Sequence, residues 1–142
     1  MEILKLFLTF LVGFATILVG DFIWLGMVVK QFTIREFGDL IAVKDGSIVI
    51  NVGVGLLAWA VIVLLVLVFV TKSGYANSVG NALLYGGIIG GLSYAMYDLT
   101  NLTFLKNYSV AFTLVDICWG VFLCAMVSLT MYLFSTWINK VL

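Results

Sequence analysis

Residues 3–29 hold only two charged side chains, Lys5 and Asp21, in a segment that is otherwise apolar or small. Three more runs of this kind follow, at about residues 47–70, 79–105 and 108–137. A helix needs roughly 20 consecutive apolar residues to cross a bilayer core, and each run reaches that length. None alternates with the period of two that a barrel strand would show. A chain built this way has too little left for a polar shell. It is 64% hydrophobic and 10% charged, where a soluble domain has about 45–50% and 25%. The expectation is an all-α fold, a four-helix transmembrane bundle forming one integral membrane domain over residues 1–142, whose first partner is the lipid bilayer.

Several function classes drop out on residue content. There is no His, and seven basic residues balance seven acidic ones without a basic cluster, so nucleic acid is not an expected partner. No metal-ligand spacing of Cys or His occurs, and no cofactor is indicated. Cys118 and Cys124 are six apart in one apolar run. On a helix they point to different faces, which excludes a disulfide between them and leaves two small packing residues. The first run follows Lys5 as a signal peptide would. It lacks a small-x-small cleavage pattern and continues to Val29, so it reads as a retained helix. Orientation is poorly encoded. Lys5, Lys72 and Lys140 fall on one side, and Lys30, Arg35, Lys44 and Lys106 on the other.

The connections differ in kind. In KQFTIREFGDLIAVKDG, Ile34, Phe37, Leu40 and Ile41 share one helical face, with Arg35, Glu36 and Asp39 opposite. That pattern predicts a short amphipathic helix at the membrane interface between helices one and two. TKSGYANS reads as a turn-rich loop. The KNY connection is so short that helices three and four must form an antiparallel hairpin.

Alternating topology places four polar residues in one leaflet: Asp21 late in helix one, Asn51 early in helix two, Asp98 late in helix three and Asp116 early in helix four. The three acids lie about seven or eight residues from the nearest membrane end, roughly 10–12 Å deep. Trp24 follows Asp21, Trp119 follows Asp116 and Asn101 follows Asp98, each by three residues, on a shared helical face. Gly87, Gly91, Tyr94, Asp98 and Asn101 line one face of helix three, with Ala82, Gly86 and Gly90 beside it. Small residues at this spacing allow close helix approach, so helix three is expected to be the central packing element, with Asp98 facing inward. Trp59, in mid-span, reads as packing, and Trp137 as an interface anchor.

An aspartate at a bilayer centre costs roughly 2.5–3.5 kcal/mol on insertion scales. No Lys, Arg or His lies at the depth of these three. They must be protonated, hydrogen-bonded by Trp, Tyr, Asn or water, or neutralised by a bound cation. At least one is expected to carry a proton near neutral pH unless a cation is bound. Polar glue between helices is the plainer alternative, but interhelical hydrogen bonds of about 0.6–2 kcal/mol are a weak reason to bury three acids.

DFIWLG in helix one and YAMYDLTNLTFLKNYSVAFTLVDICWG across helices three and four resemble a family of small bacterial membrane proteins, domain of unknown function 2177. The resemblance covers essentially the whole chain. It implies motif positions at Asp21, Trp24, Tyr97, Asp98, Thr100, Asn101, Asp116 and Trp119, and a bacterial inner-membrane location. Helix two departs, with NVGVGLLAW where the family carries an aromatic pair.

The functional expectation is a polar pocket opening towards the side of the long first loop. It would bind or translocate a small molecule or cation, with proton coupling and a homodimer as extensions. Asp21, Asp98 and Asp116 would hold the charge, and Trp24, Trp119 and Tyr97 would offer aromatic faces. An enzyme acting on a lipid-like substrate and a structural subunit of a membrane complex are the rival classes. An enzyme would show one mouth opening sideways to lipid, and a subunit no pocket.

Overall fold

The computed structural model describes residues 1–141, and most of them are helical. Helix α1, Glu2–Ile23, runs on through a π-helical turn, Trp24–Val28. Helix α2, Lys30–Phe37, ends in a 3-10 turn, Gly38–Leu40. Strands β1, Val43–Lys44, and β2, Ser47–Ile48, pair antiparallel. Helix α3, Val52–Val66, continues as a π-helical segment, Leu67–Lys72. Helices α4, Val79–Phe104, and α5, Val110–Val141, complete the chain.

Three stretches, Glu2–Val28, Val52–Lys72 and Val110–Val141, are long and apolar enough to cross a membrane. Helix α4 has comparable length, but its paired glycines and Tyr94, Tyr97, Asp98 and Asn101 dilute its hydropathy. A membrane location is supported by these helices.

The first connection departs most from expectation. Helix α2 begins earlier than the charge pattern suggested and stops at Gly38, whose φ of +51° breaks it. Leu40 and Ile41 therefore lie beyond the helix. Residues 47–51 do not start α3. Asp45 and Gly46, both at positive φ, make the two-residue turn of a small hairpin, the geometry Asp-Gly favours. Helix α3 starts after Asn51, whose side chain accepts from the Val54 N–H at 3.2 Å and caps it.

Packing is organised by α5, not by α4. Helix α5 touches α1, α3 and α4, whereas α4 lies almost wholly along α5 and barely touches α3. The glycines set that antiparallel pairing. A methyl on Gly86 would come 2.6 Å from the Cys124 carbonyl, and one on Gly90 would come 2.6 Å from Cys124 Cβ. Both are closer than atoms can approach, so these positions hold the helices in backbone contact. Cys124 is buried in this seam, while Cys118 is exposed on the outer face.

The core occupies one half of the molecule. Ile17, Val63, Val66, Val70, Leu123, Val127 and Met131 are all at most 2% exposed and pack together there. The other half, where α1 and α4 end and α3 and α5 begin, is built differently. It holds the polar residues.

Candidate functional site

Asp21 leaves α1 just before the π-helical turn and is buried. Its Oδ1 accepts from Trp119 Nε1 of α5 at 2.7 Å, and its Oδ2 accepts from Trp59 Nε1 of α3 at 2.5 Å. Accepting at both oxygens is what an ionised carboxylate does. Hydrogen bonds to a charged group contribute about 1.5–3 kcal/mol each, so one side chain ties three helices together. Trp59 is therefore an active member of the site and not merely packing. Nothing in its own spacing marks it; only the fold brings it to Asp21.

Trp24 does not reach the acid three residues before it. It stacks on Trp119, with ring centroids 4.4 Å apart and planes 5° from parallel. From there it holds the Trp119 indole from behind. Gly20 permits the approach, since a side chain there would collide with Leu123 and touch Trp119.

Asp98 is completely buried at 0% exposure. The Tyr108 hydroxyl donates to its Oδ1 at 2.7 Å, with the Asn101 side chain also against that hydroxyl. Asp98 Oδ2 has no donor among the described residues. Its acidic neighbour is Asp116 of α5. Tyr94 lies on the cavity wall with Asp21 and Asp116. Its ring fills the space above Gly120, where any side chain would overlap it. Asp21 and Asp116 thus share the cavity wall with one tyrosine, and Asp98 is buried beside Asp116.

Asp21, Asp116, Trp59, Trp119, Tyr94 and Tyr97 line a cavity of about 690 Å³, a size suited to a small molecule. Asp98 and Asn101 lie behind it as supports. Two expected residues stand elsewhere. Asn51 is an exposed helix cap, and Thr100 is exposed with its hydroxyl bonded back to the Met96 carbonyl at 2.6 Å. The remaining walls are apolar: Leu25, Val54, Leu57, Ala58, Val61 and Ile62.

Aromatic rings stand at the end facing the first loop. Phe37 of α2 packs edge-on against Phe112 at 4.4 Å and Tyr108 at 5.4 Å, and all three line the cavity. Glu36 fixes α2 in place by accepting from Ser109 Oγ at 2.5 Å. That hydrogen bond, followed by one from Arg35, holds the Glu36 carboxyl below its ordinary range. Ser109 also caps α5 through the Phe112 N–H at 3.0 Å. The sequence offered no signal for this latch beyond the position of Ser109 at the start of the last helix.

The fold and site define a helical membrane protein with a buried acid-and-indole cluster beside a cavity. The chain belongs to the family of predicted membrane proteins DUF2177, whose profile matches residues 6–133. Neither a curated protein nor a solved structure matches it.

Proposed function

We propose that the chain is a four-helix transmembrane bundle in the inner membrane of a bacterium, with α2 lying at the interface as a short amphipathic helix. In this reading α4 spans beside α5, which supports it along nearly its whole length. The cavity binds a small molecule through a cationic group, and the bound cation displaces a proton shared by Asp98 and Asp116.

The observation that carries this reading is the fully buried Asp98, whose Oδ2 has no hydrogen-bond partner among the described residues, beside Asp116 on the cavity wall. Two bare carboxylates buried side by side repel, and a proton or a cation relieves that repulsion. Asp116 lines the cavity, where a ligand reaches the pair. The aromatic rings around Asp116 supply negative faces to an organic cation.

Translocation is less well supported than binding. The packed core of Ile17, Val63, Val66 and Leu123 closes the far half, and a transport cycle would have to part it. A nucleophilic enzyme draws no support from Ser93, the serine on the cavity wall, whose hydroxyl is bonded back to the Ile89 carbonyl at 2.7 Å.

The test is proton release. Protein reconstituted in nanodiscs, in weakly buffered solution near neutral pH, is titrated with a primary alkylammonium salt. Release of about one proton per bound cation is expected, and none from Asp116→Asn. Binding without proton release, or equal release from the variant, would contradict the proposal.

A further inference from the structure

The cavity has aromatic rings at one end, the packed core at the other and exposed residues along one side. Phe37, Tyr108 and Phe112 roof it towards the first loop. The packed core shuts the other end. Among the residues on its wall, Val54 is 62% exposed, Leu57 66%, Val61 50% and Tyr97 62%. The first three lie on α3 and the last on α4, the two helices that barely touch. These residues frame a slot between α3 and α4. Val54 to Val61 spans seven steps of helix, roughly 10 Å along its axis. Helix α3 is one of those apolar enough to cross the membrane, so the slot faces hydrocarbon.

We infer that the ligand is a single-chain amphiphile with a protonated amine head, and that it enters sideways from the bilayer between α3 and α4. The inference rests on the cation-binding reading above and names its ligand class. The chemistry of the walls divides the ligand in two. At the inner end stand Asp116, with Asp98 Oδ2 unpartnered behind it, and the Trp59 and Trp119 indoles. Along the slot the surface is Val, Leu and Ala. A cationic head suits the first and an alkyl chain the second. An anionic head is disfavoured, because no Lys or Arg among the described residues lines the cavity. The chain gains little from burial, since lipid is as apolar as the slot. It acts instead to deliver the head to an acid that the aromatic roof screens from water. A short, water-soluble cation has no such route.

The Trp59 and Trp119 indole N–H groups provide the readout, because both donate to Asp21 on the cavity wall. Protein labelled with 15N-tryptophan in phosphatidylcholine nanodiscs is titrated with dodecylammonium, dodecanoate and ethylammonium, with peaks assigned by Trp→Phe variants. Dodecylammonium should shift both peaks saturably while leaving Trp137 in place. Dodecanoate should not. Ethylammonium should require at least about tenfold higher concentration, a difference of about 1.4 kcal/mol. Leu57→Phe with Val61→Phe, which narrows the slot without touching an acid, should weaken dodecylammonium about tenfold and leave ethylammonium unchanged. If ethylammonium matches dodecylammonium and the narrowed slot changes neither, lateral entry is overturned while cation binding stands. If neither amine shifts the peaks, both proposals fail. Equal response to dodecanoate would overturn the cationic head.

Discussion

Trp59 Nε1 and Asp21 Oδ2 lie 2.5 Å apart, joining α3 to α1 across 38 residues of sequence. Trp119 completes the clamp from α5 at 2.7 Å. With no basic residue beside it, Asp21 is satisfied by two neutral N–H donors, and the helices that supply them are fixed by its charge.

Asp21→Asn should therefore destabilise more than the loss of one charge suggests. An amide turns an –NH2 towards one of the two indole N–H groups, leaving a buried donor facing a donor. The expected cost is about 1–3 kcal/mol, the penalty for an unsatisfied buried group. Trp59→Phe should cost a similar amount, and the double variant less than the sum, because both remove the same hydrogen bond. Thermal unfolding of the four proteins in one detergent checks this; strict additivity would show that the two side chains are independent.

Gly90→Ala and Gly80→Ala make opposite predictions. A methyl at Gly90 would meet Cys124 Cβ at 2.6 Å, whereas one at Gly80 meets nothing within 4 Å. Gly90→Ala should destabilise by about 1–3 kcal/mol through overpacking of α4 on α5. Gly80→Ala should be neutral, or stabilising by up to about 1 kcal/mol, because alanine loses less backbone freedom in a helix. Equal melting temperatures for the two variants would remove the close contact as the basis of the pairing.

The Glu36–Ser109 latch should respond to acid. The folded carboxyl is held below its ordinary value of 4.5, first by the Ser109 hydrogen bond. A group whose folded pKa is depressed contributes stability above its unfolded pKa, and that contribution is lost as pH falls through the folded value. Amides of α2 should stay protected from hydrogen exchange near neutral pH and lose protection on acidification below the ordinary glutamate range. In Ser109→Ala the loss should begin at higher pH. An unchanged profile would mean that α2 is held by its aromatic contacts alone.

The long apolar runs carried their meaning in the sequence, because helix length and hydropathy are local properties. Alternation imposed by the short connections predicted acids at one end of the bundle, and Asp21 and Asp116 do share one cavity wall there. What was not legible depends on rotation and contact. Trp59 looked like packing because its partner is 38 residues away. Trp24 sat at the right spacing from Asp21 yet turned to stack on Trp119, since two neighbouring helices already filled the acid's acceptor sites. Asn51 had the right depth but is spent on capping α3, and the hairpin before it came from an Asp45-Gly46 turn that shortened the helix. The roof over the cavity arose from α2, where the charge pattern suggested the face but not that Phe37 would point at Phe112. Helix α4, the glycine-rich one, looked central; α5 is, because a small-residue face serves one close neighbour at a time.

The proton proposed to be shared by Asp98 and Asp116 is most directly tested by carboxyl-stretch infrared difference spectroscopy on the reconstituted protein. Spectra at about pH 7, with and without alkylammonium, should contain a protonated-carboxyl band in the wild type that disappears when the cation binds and is missing from Asp98→Asn. If instead no such band exists at neutral pH and all three acids titrate together near the free value of about 4, the pair holds no proton and cation exchange at this site is contradicted.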